Sequence, residues 1–161
     1  MKILAILHDK ETAVETYRII QPLSALRKRG HECYVLSFTD AAQRLGEKWH
    51  YWPDVLLFNR LISREGWEQS FDFPLYVRAL GKVVVTDYDD DYTNKDRVVH
   101  DGEMPNLEHF SAVTVSTPYL KRVMTPYHRR THLLPNAIMP EVFERGERRI
   151  KHLTIGLTGS A

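Results

Sequence analysis

Short apolar runs recur along the chain at Ile3 to Leu7, Cys33 to Phe38, Val55 to Phe58, Val83 to Val85, Ala112 to Val115, His132 to Leu134 and Leu153 to Leu157. Runs this short that are apolar throughout, rather than alternating, read as strands covered on both faces, and hence as a parallel sheet. Between them lie longer amphipathic stretches. Ile19, Leu23 and Leu26 recur at helical spacing, Gly30 ends that helix, and Pro22 is expected to kink it. Ser63 is a candidate cap for a helix carrying Trp67 and Phe71. Pro74 opens a short helix that runs to Leu80 and stops at Gly81, and Thr117-Pro118 pairs an N-cap with a proline at the first helical position.

This order is a repeated βαβ unit, whose right-handed crossovers build a Rossmann-like, doubly wound parallel sheet of about six strands. Residues 1–140 make one such domain. Residues 141–151, with Glu144-Arg145-Gly146-Glu147-Arg148-Arg149 and little apolar periodicity, read as an interdomain linker. Residues 152–161 bring a fresh strand and a glycine turn, the start of a second domain.

With 161 residues, 43% of them hydrophobic, the chain supports one compact α/β domain and is too short for two. Lys and Arg together number 22 against 21 for Asp and Glu, so the net charge of +1 supplies no general attraction to nucleic acid or anionic membrane. Cys33, in the run Glu32-Cys33-Tyr34-Val35-Leu36, is the single cysteine. That rules out an internal disulfide or a zinc-binding cysteine cluster and fits a cytoplasmic location. The apolar stretch at the amino terminus is too short for a signal peptide or a membrane span.

In an open parallel sheet, ligands gather at the carboxyl ends of the strands. The residues there are His8-Asp9, Asn59-Arg60, Asp87-Tyr88-Asp89-Asp90-Asp91, Ser116-Thr117 and Pro135-Asn136. The acidic run is the most unusual. Carboxylates so close repel one another, a cost that capping, pairing with arginine, or holding a cation or sugar hydroxyls offsets; the plainer alternative is a solvated, charged loop. Asp89 and Asp91 form an Asp-x-Asp pattern whose oxygens suit Mg²⁺ or Mn²⁺, the minor alternative to a site with no metal and no cofactor.

Arg18, on the first helix, is placed to meet an anionic group across a cleft or to sit on the surface. Trp49, Tyr51 and Trp52 are read as packing groups before sugar-stacking ones. His128 and His132 need not share a face, which disfavours a metal pair. A Gly-x-Ser-x-Gly elbow is missing, the loop His8-Asp9-Lys10-Glu11-Thr12 has no phosphate-binding glycine, and Asn59-Arg60 stands where a phospho-receiver domain needs a carboxylate.

Five blocks, in order, resemble the retaining GT-B glycosyltransferases that build surface polysaccharides and glycolipids (glycosyltransferase group 1, family 4-like). They are Tyr17-Arg18-Ile19-Ile20-Gln21-Pro22-Leu23 with Leu26 and Gly30-His31; Asp54-Val55-Leu56-Leu57-Phe58-Asn59-Arg60; Gly81-Lys82-Val83-Val84-Val85-Thr86-Asp87-Tyr88-Asp89-Asp90-Asp91; Ser111-Ala112-Val113-Thr114-Val115-Ser116-Thr117 with Leu120; and Leu134-Pro135-Asn136-Ala137-Ile138. Many relatives carry a glycine pair after the first strand and a histidine after the fourth. Here those positions read His8-Asp9-Lys10 and Asp87-Tyr88-Asp89.

The resemblance implies the amino-terminal, acceptor-side half of a GT-B enzyme, which transfers a sugar from a nucleoside diphosphate sugar to a glycan or glycolipid acceptor with retention of configuration. Under it Asp87, Asp89 and Asp90 are the catalytic candidates, and Arg18, Asp91, Thr117 and Asn136 face the acceptor. Gly159 and Ser160, in Ile155-Gly156-Leu157-Thr158-Gly159-Ser160, resemble the turn that opens the donor domain. The nucleoside diphosphate sugar would bind through that second domain, and the 161-residue piece alone is expected to be inactive. A non-catalytic carbohydrate-binding or assembly domain of the same fold is the alternative. The acidic loop is expected at the carboxyl edge of the sheet, beside the end of the first strand.

Overall fold

In the computed structural model of the chain, residues 1–7, 13–44, 47–60, 72–93 and 106–136 are described. Six parallel strands form one sheet: β1 (Lys2–Leu7), β2 (Glu32–Ser37), β3 (Val55–Asn59), β4 (Val83–Tyr88), β5 (Ala112–Val115) and β6 (Thr131–Leu133), in the order β2-β1-β3-β4-β5-β6. Helix α1 covers residues 13–28, and α2 (Phe38–Gln43), α3 (Phe73–Ala79) and α4 (Pro118–Met124) follow.

Strand alternation divides the core between the two faces of the sheet. Ile3, Ala5, Leu7 and Cys33 pack beneath Ile19 and Leu23 of α1. On the other face Leu4, Ile6, Leu56, Phe58, Val84, Val113 and Val115 meet Ala41 of α2, Val77 of α3, and Leu120 and Met124 of α4. Helices thus cover both faces, as a Rossmann-like α/β fold requires.

Local chemistry sets the ends of the elements. Gly30, at φ +84°, closes α1 with the Gly30 N–H on the Arg27 carbonyl and the His31 N–H on the Leu26 carbonyl. This is the double bond of a Schellman turn. The Leu120 N–H donates to Thr117 Oγ1 at 3.1 Å, with Pro118 in the first turn of α4.

The expected kink at Pro22 takes the form of a π turn over Thr16–Ile20, in which the Gln21 N–H reaches back to the Thr16 carbonyl. Regular α-helical bonding would press the proline ring against the Arg18 carbonyl and leave that carbonyl without a donor. Widening the turn by one residue lets the α-helix restart at Gln21–Lys28 with proline in its first turn, where no N–H is needed.

Three expectations shift. Phe38 leaves the second strand because Ser37 caps α2, its Oγ accepting the Asp40 N–H at 3.0 Å. The last strand begins at Thr131, where the Val113 N–H finds the Arg130 carbonyl. The acidic segment is at the carboxyl edge, but β3 stands between β4 and β1, so it is one strand removed from the end of β1. The helix expected from Ser63, the linker at 141–151 and the strand at Leu153 to Leu157 lie outside the described residues.

His50 is buried in a cage of aromatic rings, with Trp49, Tyr51, Phe73 and Tyr76 at centroid distances of 4.5–5.7 Å. Among the described residues neither ring nitrogen has a hydrogen-bond partner. Burial, helped by the charge of Lys48, holds its pKa below the ordinary 6.5. The folded chain therefore resists a proton that the unfolded chain accepts, and stability is lost as the pH falls through that ordinary value. Replacing the ring with a phenyl, His50→Phe, should flatten this acid limb; urea midpoints for both proteins on either side of the His range would show the difference, and parallel pH profiles would refute it.

Candidate functional site

The parallel register aligns Asn59 of β3, Asp87 of β4, Thr114 of β5 and His132 of β6 in a single row. In a parallel ladder, residues in register share a face. This row lies at the carboxyl ends of the strands, on the side covered by α1, where an apolar surface gives way to a polar one.

Arg18, from the π turn of α1, descends on the row. Its Nε donates to Asp87 Oδ2 and its Nη2 to Asp87 Oδ1, both at 2.5 Å, with each side chain 1% exposed. Thr114 Oγ1 donates to the same Oδ1. On the far side Arg18 Nη1 reaches the Leu134 carbonyl at 2.9 Å and Asn136 Oδ1 at 2.7 Å. One guanidinium therefore joins α1, β4 and the chain beyond β6. A bidentate, fully desolvated pair has the strong geometry that an exposed one lacks.

Next to this group is a second arginine. Arg60, just past β3, adopts φ +48°, a left-handed backbone that is unfavourable for a side chain and turns it back over the strand ends. Its N–H holds the Asp87 carbonyl at 2.9 Å, and its guanidinium pairs with Asp89 at 3.6 Å. Burial by itself would lower the Arg60 pKa. The charges of Asp89, Tyr92 and Glu15 and a hydrogen bond with Tyr92 outweigh that and raise it. Burial raises the pKa of Asp89, and the repulsion of Asp90 and Asp87 adds to it against the opposing pull of Arg60.

The candidates from the sequence therefore separate. Arg18, Asp87 and Asn136 are brought into direct contact, and Asp89 is adjacent through Arg60. Asp90 is half-buried and acts on Asp89 and Tyr92 through its charge. Asp91 turns away: its Oδ1 accepts from the N–H and hydroxyl of Thr93, and its Oδ2 accepts from Tyr119. Asp89 and Asp91 thus serve different partners, and among the described residues no group of three or more potential ligands forms a metal site. Thr117 is exposed, its oxygen occupied by the cap of α4. Gly159 and Ser160 lie outside the described residues.

The aromatic group before β3 belongs to the opposite edge. Trp52 packs edge-on against Tyr34 with Lys2 over its ring, and Trp49 donates to the Ala41 carbonyl. His128 is tied to the Phe110 carbonyl and the Arg130 N–H, while His132 is exposed on β6.

The sequence placed Asn59-Arg60 among the strand-end candidates without giving either a role, and it did not pick Glu15 or Thr114 as site residues. Glu15 is fully buried one turn before Arg18, and Asn59 is a buried polar residue ending an apolar strand. Spacing from Arg18 for the first, and a polar terminus on an otherwise apolar run for the second, were the available signals. No protein-family model and no curated protein matches the chain. Among the described residues no helix is long and apolar enough to cross a membrane.

Two stability outcomes follow from this geometry. Arg18→Met strands a buried carboxylate and should cost about 3–5 kcal/mol, whereas Arg18→Met combined with Asp87→Leu should recover most of it; denaturant melts that rank the double variant no better than the single would refute the pairing. Asp89→Asn should raise stability at neutral pH, because the folded state disfavours the ionised carboxylate. The native pKa is above the unfolded one, so wild type gains stability as the pH falls through the native value toward the unfolded value. The advantage of the variant should then shrink in acid, and urea midpoints that keep a constant gap would contradict this.

Proposed function

We propose that this chain is the acceptor-side domain of a glycosyltransferase of the GT-B type, acting on a nucleoside diphosphate sugar and a glycan or glycolipid acceptor in the cytoplasm. The observation that carries the reading is the polar row at the carboxyl edge of the sheet, held by the Arg18–Asp87 pair and flanked by Asp89 with its raised pKa. Open α/β sheets bind ligands at this edge, and carboxylates in a partly desolvated setting suit neutral hydroxyls, which donate hydrogen bonds to them.

In this reading the residues divide by what they have left to offer. Asp87 gives both oxygens to Arg18 and Thr114 and acts as a positioning residue. Asp89 and Asp90 face the acceptor, and the raised pKa of Asp89 suits it to take a proton from an attacking hydroxyl. Arg18 and Asn136 fix the wall of the cleft, with Thr117 and Asp91 at its rim. The donor sugar nucleotide binds through the domain that Gly159 and Ser160 introduce.

Changing Asp89, Asp90 and Asp91 together to Asn in the complete protein should leave the fold intact and lower turnover efficiency toward acceptor about ten- to a hundredfold. Donor affinity should be unchanged. The assay is acceptor-dependent release of nucleoside diphosphate, with the anomeric configuration of the product read by NMR. Unchanged efficiency removes the acceptor role of the loop, and no release with any sugar nucleotide removes the reading itself.

A further inference from the structure

Resting on that reading, we propose that Asn59 is the residue by which this site recognises its ligand, and that the ligand group it takes is an uncharged pair of neighbouring hydroxyls, as on a sugar ring. Asn59 is 4% exposed, yet among the described residues neither Oδ1 nor Nδ2 has a hydrogen-bond partner. Buried carboxamides are normally satisfied, and an apolar residue of similar size would fill the position without that cost.

Its place in the fold gives the unpaired amide a direction. Asn59 ends β3, the strand next to β1 on the side opposite β2, so it is at the point where the strand order reverses. That reversal is where open α/β sheets form a binding crevice. Across the row, Asp87 and Thr114 bind each other and Arg18 and His132 is exposed, which leaves Asn59 as the buried member without a hydrogen bond among the described residues. Asp89 Oδ1, also buried and without a hydrogen bond, is near the next residue, Arg60.

The chemistry selects the ligand. A carboxamide presents one acceptor and one donor group side by side, matching two adjacent hydroxyls of which one donates and the other accepts. Among the described residues the carboxylates of Glu15, Asp87, Asp89 and Asp90 outnumber the guanidiniums of Arg18 and Arg60, which opposes an anion such as phosphate. A divalent cation would need a set of oxygen ligands that the described residues do not assemble.

The test uses the ¹⁵N-labelled 161-residue chain and follows the side-chain amide signals of Asn59 by NMR. The probes are methyl α-glucoside, methyl α-mannoside, sodium phosphate and magnesium chloride. A glycoside should shift these signals while phosphate and magnesium leave them in place. Asn59→Leu should weaken glycoside binding at least about tenfold and raise the urea midpoint. Shifts with phosphate or magnesium alone, or with no probe, overturn the proposal, and the wild-type titration decides this even if the variant does not fold. Glycoside affinity unchanged in Asn59→Leu overturns the role of Asn59 and leaves the sugar-transfer reading standing, since that reading falls only on its own product assay.

Discussion

The guanidinium of Arg18 and the carboxylate of Asp87 are withdrawn from water together, and neither could remain there without the other. The desolvation of an isolated ion costs far more than any single packing contact returns. The pair therefore acts as a condition on the fold. α1 must approach the sheet at a depth that delivers Arg18 to β4, and the chain after β6 must return close enough for Leu134 and Asn136 to accept the remaining donor. Three segments distant in sequence meet through one side chain.

This condition explains why the carboxyl edge contains two kinds of polar group. Arg18 and Asp87 are buried and bound to each other, with Thr114, Leu134 and Asn136 as further partners. Asn59 and Asp89 sit next to them with hydrogen-bonding capacity in reserve. Under the proposed function, groups already desolvated and oriented before a ligand arrives would make a pre-organised site. Burial, with the charges of Asp90 and Asp87, also holds the pKa of Asp89 above its ordinary value against the pull of Arg60.

Much of the architecture was legible because buried parallel strands announce themselves as unbroken apolar runs. All six described strands come from such runs, and the glycines and Thr117 mark helix ends for local reasons that need no tertiary knowledge. Arg18, Asp87 and Asn136 were picked as site residues, but their mutual contact was not legible, since it joins positions 69 and 116 or more residues apart. Asp87 looked like the first residue of a loop because an acidic cluster suggests solvent; it is instead a strand residue paid for by Arg18. The acidic run also splits three ways, toward Arg18, Arg60 and Tyr119, and composition contains no signal for which carboxylate goes where.

The π turn of α1 makes the length of this helix matter as much as its composition. A π turn spends one more residue on a turn than an α-helix does, so removing a residue from Thr16–Ile20 would leave the segments on either side close to their present phase but would set the Pro22 ring against the carbonyl four residues before it. Ile19, Leu23 and the apolar face could then keep their seat on the sheet only if the helix bent at the proline or lost it. The number of residues before Pro22 is therefore as much a part of this helix as the identity of its side chains. The widened turn is what lets one continuous helix carry both an internal proline and, just before it, the arginine that reaches the polar edge of the sheet.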